Sequence, residues 1–314
     1  MHPFRWLTIA ILALSLAACS GGAPRDTVVV IPPGTSIAKA GEILEKAGAV
    51  SSASGFRNHA RFFGGDNPIK PGEYQVRKGM GAGAVLSLLQ SGKTIQRIVM
   101  IPEGMPSIMV WERLMAEPRL KGDIPVPAEG SILPDSYAFT SGETRAAVVK
   151  RMQTAMTKAF DALWAKRSPR TAAKDRNEAI ALASIVEKET GVPAERRTVA
   201  GVYTNRLAVG MRLQADPTII YPITRGKPLG RRILRSEILA VNDYNTYSMI
   251  GLPKGPIANP GKASIAAVLD PEANDYLFFV AKGDGGHIFA RTLSEHNANV
   301  QKWYALRRER GEIE

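Results

Sequence analysis

Cysteine is nearly missing from this chain of 314 residues: Cys19 stands alone. An intramolecular disulfide is therefore impossible, and a zinc cage built on two to four cysteines is excluded. Histidine is scarce as well. His2, His59, His287 and His296 leave little for a histidine-rich metal site, so no metal and no cofactor is expected. Neither a GxSxG nucleophile elbow nor a GxxxxGK[ST] phosphate loop occurs. Gly79, Gly81 and Gly83 lack the third spaced glycine and the acidic partner of a dinucleotide fold. Acidic residues are the minority charge, with 29 Asp+Glu against 41 Lys+Arg and a net charge of +12. What remains is ordinary: 45% hydrophobic and 22% charged residues. That excludes a disordered, collagen-like or multi-span membrane protein. At ~150 residues per domain the length predicts about two domains, with a real core.

The first residues, MHPFRWLTIAILALSLAACSGG, place Arg5 and His2 before an apolar run from Trp6 to Ala18. This is the pattern of an export signal. The run is short for a span of about 20 residues, although no charge intervenes between Arg5 and Arg25, which leaves a weak single-pass anchor open. Leu16-Ala17-Ala18-Cys19 resembles a lipobox, in which the new N-terminal cysteine is lipidated. Cys19 is then the lipidation candidate, against a chance cysteine in a signal or anchor. In either case residues 1–24 hold the bulk of the chain at a membrane, outside the cytoplasm. The excess positive charge suits anionic headgroups or an anionic wall polymer. Nucleic acid is not an expected partner of an exported chain.

After a Gly/Pro-rich tether, strand, turn and helix recur three times. Val28–Ile31 reads as a buried strand, and Ile37, Ala40, Ile43, Leu44 and Ala47 as a helix stopped by Gly48. Tyr74–Val76 and Val85–Leu89 repeat the pattern, as do Ile98–Ile101 and Ile108–Leu114. The unequal periods argue against a solenoid. Residues 119–135, rich in proline and glycine, read as a loop into a second domain. Val148, Met152, Met156, Phe160 and Trp164 mark one amphipathic helix. Arg176–Thr190 and Arg196–Val209 give two more. Residues 276–280 and 287–290 form a hairpin about Gly283-Asp284-Gly285-Gly286. A polar helix from Ser294 to Arg310 closes an α+β chain.

Three clusters carry the chemistry. In Ala179–Thr190 eight nearly all apolar residues lead into two carboxylates. On a helix Glu187 shares a face with Ile180, Ala183 and Ser184, while Glu189 lies about 200° further round, so the two form no paired dyad. Desolvation of Glu187 would raise its carboxyl pKa and suit a general acid. The plain alternative is a pair of solvated last-turn glutamates. In the second cluster Asp216-Pro217 reads as an N-cap with Pro at N1, while Gln214 lacks such a structural reason. The third joins Tyr244-Asn245-Thr246-Tyr247 to the rigid loop Gly251–Gly261, which contains Asn259. Aromatics and amides together suit a sugar cleft, or simply an ordered loop. His287 and His296 read as a hairpin and a helix residue. The run Arg225, Lys227, Arg231, Arg232 and Arg235 reads as a solvated face.

Together, Ala183–Thr190, Met211–Thr218, Tyr244–Tyr247, Gly251-Leu252-Pro253 with Gly255–Gly261, and Gly285-Gly286-His287 with Phe289 resemble the endolytic murein transglycosylase (YceG-like) family, in the family's order and over roughly residues 28 to 310. The resemblance implies a small LysM-like α/β region at 25–97 and a mixed helical and β-hairpin catalytic domain at 98–314. It implies a lyase that cleaves the MurNAc–GlcNAc β-1,4 bond in nascent glycan strands, leaves 1,6-anhydro ends and so terminates elongation. The first glutamate of the IVEKE motif, Glu187, is then the catalytic acid/base. Glu189, Gln214, Asp216, Tyr244, Asn245, Thr246, Tyr247 and Asn259 are candidates for substrate binding. Peptidoglycan strands are the implied partner, beside penicillin-binding synthases at the periplasmic face of the inner membrane. Two departures stand out. The family usually carries one transmembrane helix where this chain has a lipoprotein-like signal. Its aromatic loop is only partly kept in Glu129–Tyr137.

Two other readings remain open at this point. A lysozyme-type hydrolase would use Glu187 with Asp216 as second carboxylate and leave reducing ends. A wall-binding lipoprotein scaffold would hold glycan without cutting it.

Overall fold

The computed structural model describes residues 22–313. Three two-stranded sheets occur among them. The chain divides into two compact units: residues 22–98 with 118–121 and 138–144, and residues 99–117, 122–137 and 145–313.

In the first unit, β1 (Thr27–Ile31) pairs antiparallel with β2 (Gly72–Val76), Val29 opposite Tyr74. Between them run α1 (Ile37–Lys46) and α2 (Ala53–Phe63), and α3 (Ala82–Ser91) follows. Ser36 and Ser52 cap α1 and α2 by accepting from Lys39 N–H and Gly55 N–H. The core gathers Val29, Ile31, Leu44, Phe56, Tyr74, Val76 and Leu89. Tyr74 is fully buried, and its hydroxyl donates to the carbonyl of Lys70 at 2.7 Å. Two expectations change here. The run Val28–Ile31 is not buried throughout: Val29 and Ile31 face the core while Val28 and Val30 face out. A two-stranded sheet has helices on one face only, so its strands alternate. Helix α2 is absent from the sequence reading: only Phe56 and Ala60 of its residues are buried, and the segment is polar overall.

β3 (Arg97–Met100) pairs with β4 (Ser136–Phe139). In the second unit, α4 (Ser107–Ala116) is closed by a distant side chain. Buried Arg145 donates to the carbonyls of Leu114, Met115 and Glu117, groups that a helix end leaves unpaired. The core is helical, built from α5 (Arg145–Trp164), α6 (Arg176–Glu189), α7 (Arg196–Ala208) and α10 (Lys262–Leu269). Val148, Met152, Met156 and Phe160 point inward, as their spacing predicts. Helix α6 starts at Asp175, whose carboxylate accepts from Glu178 N–H, and is buried continuously from Ala179 to Val186. Each of its Ile, Leu and Val side chains contributes about 2 kcal/mol by burial. Two short helices, α8 (Pro217–Thr224) and α9 (Arg235–Leu239), lie in the loop-rich stretch. β5 (Phe278–Ala281) and β6 (His287–Ala290) form the antiparallel hairpin, and α11 (Leu293–Glu309) ends the chain.

Candidate active site

Helix α6 brings its two terminal glutamates to opposite sides. Glu187 sits on the face that also carries Ser184, and the loop 256–261 closes that face. Ile257 N–H donates to Ser184 Oγ at 3.0 Å, and Gly261 N–H donates to Glu187 Oε2 at 2.8 Å. Arg196 Nη2 lies 3.8 Å from Glu187 and 3.9 Å from Glu103. The Glu187 side chain is only 6% exposed, and both its oxygens face fixed partners. Gly261 allows this approach, since a Cβ there would lie 1.9 Å from Glu103 Oε1. Burial and the neighbouring Glu187 push the Glu103 carboxyl up, against the pull of Arg196.

Glu189 opens on a cleft of about 440 Å³. Around it stand Tyr203 and Arg206 from α7, Gln214 and Asp216 from the loop before α8, Tyr247, and Phe279 and His287 from the hairpin. Burial pushes the Glu189 carboxyl up to about 7, helped by the Asp216 charge and opposed by Arg206. Burial also raises the Tyr203 hydroxyl well above its usual range. Among the described residues no donor hydrogen-bonds the Glu189 carboxyl. The carboxyl can therefore hold a proton near neutral pH and direct it at a ligand.

The cleft is held in shape by hydrogen bonds among its walls and the residues behind them. Arg206 is buried and donates to the carbonyls of Leu277 and Leu213, each at 2.6 Å, tying the hairpin to the Gln214 loop. Gln214 has φ +51°, a left-handed conformation uncommon for a side-chain-bearing residue. Thr246 holds it there: its carbonyl accepts from Gln214 N–H, and its Oγ1 from Ala215 N–H at 3.0 Å. Asn245 donates from Nδ2 to the carbonyls of Ile238 and Ala240, and its Oδ1 accepts from Tyr247 N–H. The Tyr247 hydroxyl then donates to Asp216 Oδ1 at 2.6 Å.

Several expectations are corrected by this geometry. Asn245, Thr246 and Asn259 are fully buried. Their polar atoms are used internally, Asn259 Nδ2 by Met105 carbonyl and Ser107 Oγ and its Oδ1 by Ile132 N–H. Their polar groups are engaged inside the protein and help to build the walls of the site. Tyr244 packs on Tyr221 with ring centroids 4.8 Å apart instead of lining the cleft. Asp216 occupies the N-cap position of α8 with Pro217 at N1, yet its side chain caps nothing; it is exposed and takes Tyr247 instead. Of the candidates, Glu189, Gln214, Asp216 and Tyr247 meet in one cleft, while Glu187 lies on the closed face. Cys19 is outside the described residues. Tyr203 and Arg206 stood together in the sequence as an i, i+3 pair, a signal for one face. Nothing in the sequence marked Glu195, Arg196 or Glu103. Among the described residues no cluster of three or more His, Cys, Asp or Glu could hold a metal ion. No helix there is long and apolar enough to cross a membrane.

One carboxyl with a raised pKa, without a protein donor among the described residues and walled by aromatics and polar side chains, has the make-up that acid–base chemistry needs. Comparison with known proteins agrees on a family. The model of the YceG-like family matches residues 29–302, and the chain belongs to that family. It is 28% identical over 312 residues to the endolytic murein transglycosylase of Bacillus subtilis strain 168, covering 89% of this chain and 85% of that protein. It is 28% identical over 335 residues to the endolytic murein transglycosylase of Streptococcus pneumoniae D39, covering 91% of this chain and 60% of that one. The crystal structure of a YceG-like protein from Listeria monocytogenes superposes with a TM-score of 0.54 at 28% identity. That match spans 88% of this chain and 99% of the other.

Proposed function

We propose that this protein is a lytic transglycosylase that cuts peptidoglycan glycan strands from within, with Glu189 as its acid and base. The observation that carries the reading is the Glu189 carboxyl, pushed up to about 7 in an open cleft with no donor bonded to it among the described residues. Glu187 is the poorer candidate, because Gly261 N–H and Arg196 already occupy its carboxylate oxygens. Tyr247 and Phe279 offer ring faces to pyranoses, and Gln214 and Asp216 offer polar groups to hydroxyls and acetamides.

In this mechanism protonated Glu189 donates to the glycosidic oxygen as the C1–O4 bond breaks. Positive charge then develops at C1 and its ring oxygen. The Glu189 carboxylate takes the proton of the muramyl C6 hydroxyl as O6 attacks C1. A 1,6-anhydro end leaves and Glu189 is protonated again. One carboxyl suffices, whereas a hydrolytic glycosidase generally needs two. The test is digestion of purified peptidoglycan with mass spectrometry of the products. Anhydro ends made by the parent chain and by Glu187→Gln, but not by Glu189→Gln, support the assignment. Anhydro ends from Glu189→Gln sink it.

A second reading has its own observation. Asp216 lies close enough to Glu189 to raise its pKa, so the cleft holds two carboxyls. Reducing ends in the same digestion would make the enzyme a muramidase with Asp216 as partner. We further infer that the β–α–α–β order of residues 27–76 serves as a LysM-like glycan-holding module, and that residues 1–24 keep the enzyme at the periplasmic face of the membrane near the synthases. Fractionation of cells expressing the full chain tests the anchor.

A further inference from the structure

His287 carries a second chemistry into the cleft. Its ring Nδ1 lies 2.8 Å from Glu195 Oε2, and its backbone N–H donates to both oxygens of the same carboxylate, at 3.0 and 3.1 Å. Glu195 closes the 3₁₀ turn Pro193–Glu195 ahead of α7. Gly286 makes the approach possible, because a Cβ at that position would lie 2.6 Å from Glu195 Oε1. Phe279 meets the imidazole edge-on at 5.1 Å and is itself met edge-on by Tyr203 at 5.9 Å. One ring is thus held in one orientation by a carboxylate behind it and an aromatic beside it.

A carboxylate only accepts hydrogen bonds. Nδ1 therefore carries the hydrogen, and in the neutral ring Nε2 keeps its lone pair. Serine-protease triads use this arrangement to aim an imidazole lone pair at a hydroxyl. Here no serine or threonine lines the cleft among the described residues, and none bonds Nε2. The hydroxyl has to come from the ligand. The charged and titratable groups around the ring are Glu195 behind it, Glu189, Asp216, Arg206 and His296 across the cleft, and the Lys282–Asp284 pair on the hairpin turn.

We propose that His287 is a glycan-binding residue, its Nε2 accepting from a sugar hydroxyl while Glu195 fixes the tautomer. The inference rests on the reading of this cleft as a glycan site. It gives the Gly285-Gly286-His287 segment a purpose: a residue at 286 with no Cβ lets a carboxylate from 92 residues away lock the next side chain.

The experiment uses the full chain carrying Glu189→Gln, so that glycan is bound but not cut. Calorimetry with purified peptide-free glycan strands measures Kd. Nitrogen NMR of the imidazoles, assigned by single-histidine substitutions, reads the tautomer. Adding His287→Gln weakens binding about tenfold, the size of one hydrogen bond. Adding Glu195→Ala keeps the imidazole, removes the acceptor that holds Nδ1–H, releases the fixed tautomer and weakens binding in the same direction. Equal affinity with and without His287, or an Nε2–H tautomer in the Glu189→Gln chain, overturns the inference and leaves the glycan site standing. Equal affinity and an unchanged tautomer in Glu195→Ala also overturn it, even where His287→Gln fails to fold. No binding by the Glu189→Gln chain itself overturns the reading of the cleft, and this inference with it.

Discussion

The two ends of one helix turn behave oppositely. Glu187 and Glu189 are separated by one residue and share the same apolar helix, α6. On one side the loop 256–261 supplies a backbone donor and Arg196 supplies a charge, and the carboxylate is a fastening. On the other side no donor arrives among the described residues, Asp216 adds repulsion, and the carboxyl is pushed up to about 7. The difference comes from what each is packed against, not from the glutamates themselves. A buried carboxylate with its donors in place stabilises a fold, and one left without them is a proton source.

The sharpest way to break this comparison is to neutralise each member. Glu189→Gln is expected to cost about 10²–10⁴-fold in turnover, the contribution of a general acid. Glu187→Ala is expected to cost stability instead, about 3 kcal/mol, because Arg196 and the Gly261 N–H lose their partner in the interior. Chemical denaturation and product analysis on the two variants decide it, and reversed losses would refute the division of roles.

A pH series sharpens it further. Turnover needs Glu189 protonated, so it should fall as the pH rises through about 7. Stability follows the same sign. A carboxyl whose folded-state pKa is raised favours the protonated fold, and its contribution is full below the ordinary value near 4.5 and is lost as the pH rises through about 7. Glu189→Gln should therefore melt at a higher temperature than the parent chain at pH 8 and lose that advantage at pH 4. An inactive variant that is more stable at high pH would mark a site whose function works against its fold.

The division between the two faces was half legible in the sequence. Helical periodicity places Glu187 and Glu189 about 200° apart, and the structure keeps them apart. Which face would be closed was not legible, because the closing groups are remote: Gly261 lies 74 residues from Glu187, and Glu195 lies 92 from His287. Periodic elements such as α5, α6 and the β5–β6 hairpin read well because their own side chains make the core. Helix α2 did not, because it is polar overall and buries only Phe56 and Ala60. The amides were misread for a related reason. Asn245, ahead of a Pro/Gly loop, and Asn259, within it, look like sugar ligands, but irregular segments leave backbone groups unpaired, and these buried amides are what satisfy them. Asn245→Ala should accordingly cost about 2 kcal/mol in stability and leave the KM for glycan nearly unchanged once folded.

The smallest expected effects test how Asp216 acts on Glu189. Asp216 raises the Glu189 pKa by its charge. Asp216→Asn removes that charge, so the alkaline fall in activity should move to lower pH. Tyr247 donates its hydroxyl to Asp216 at 2.6 Å and so disperses part of the same charge. Tyr247→Phe withdraws that bond, leaves the Asp216 charge more concentrated, and should move the fall slightly to higher pH. The cost in kcat/KM is about threefold, within the range of one hydrogen bond. The two substitutions thus touch one hydrogen bond from its two ends and should shift the pH profile in opposite directions. A loss of binding alone would not give opposite shifts, and shifts of the same sign would mean that Tyr247 acts on Glu189 by some route other than Asp216.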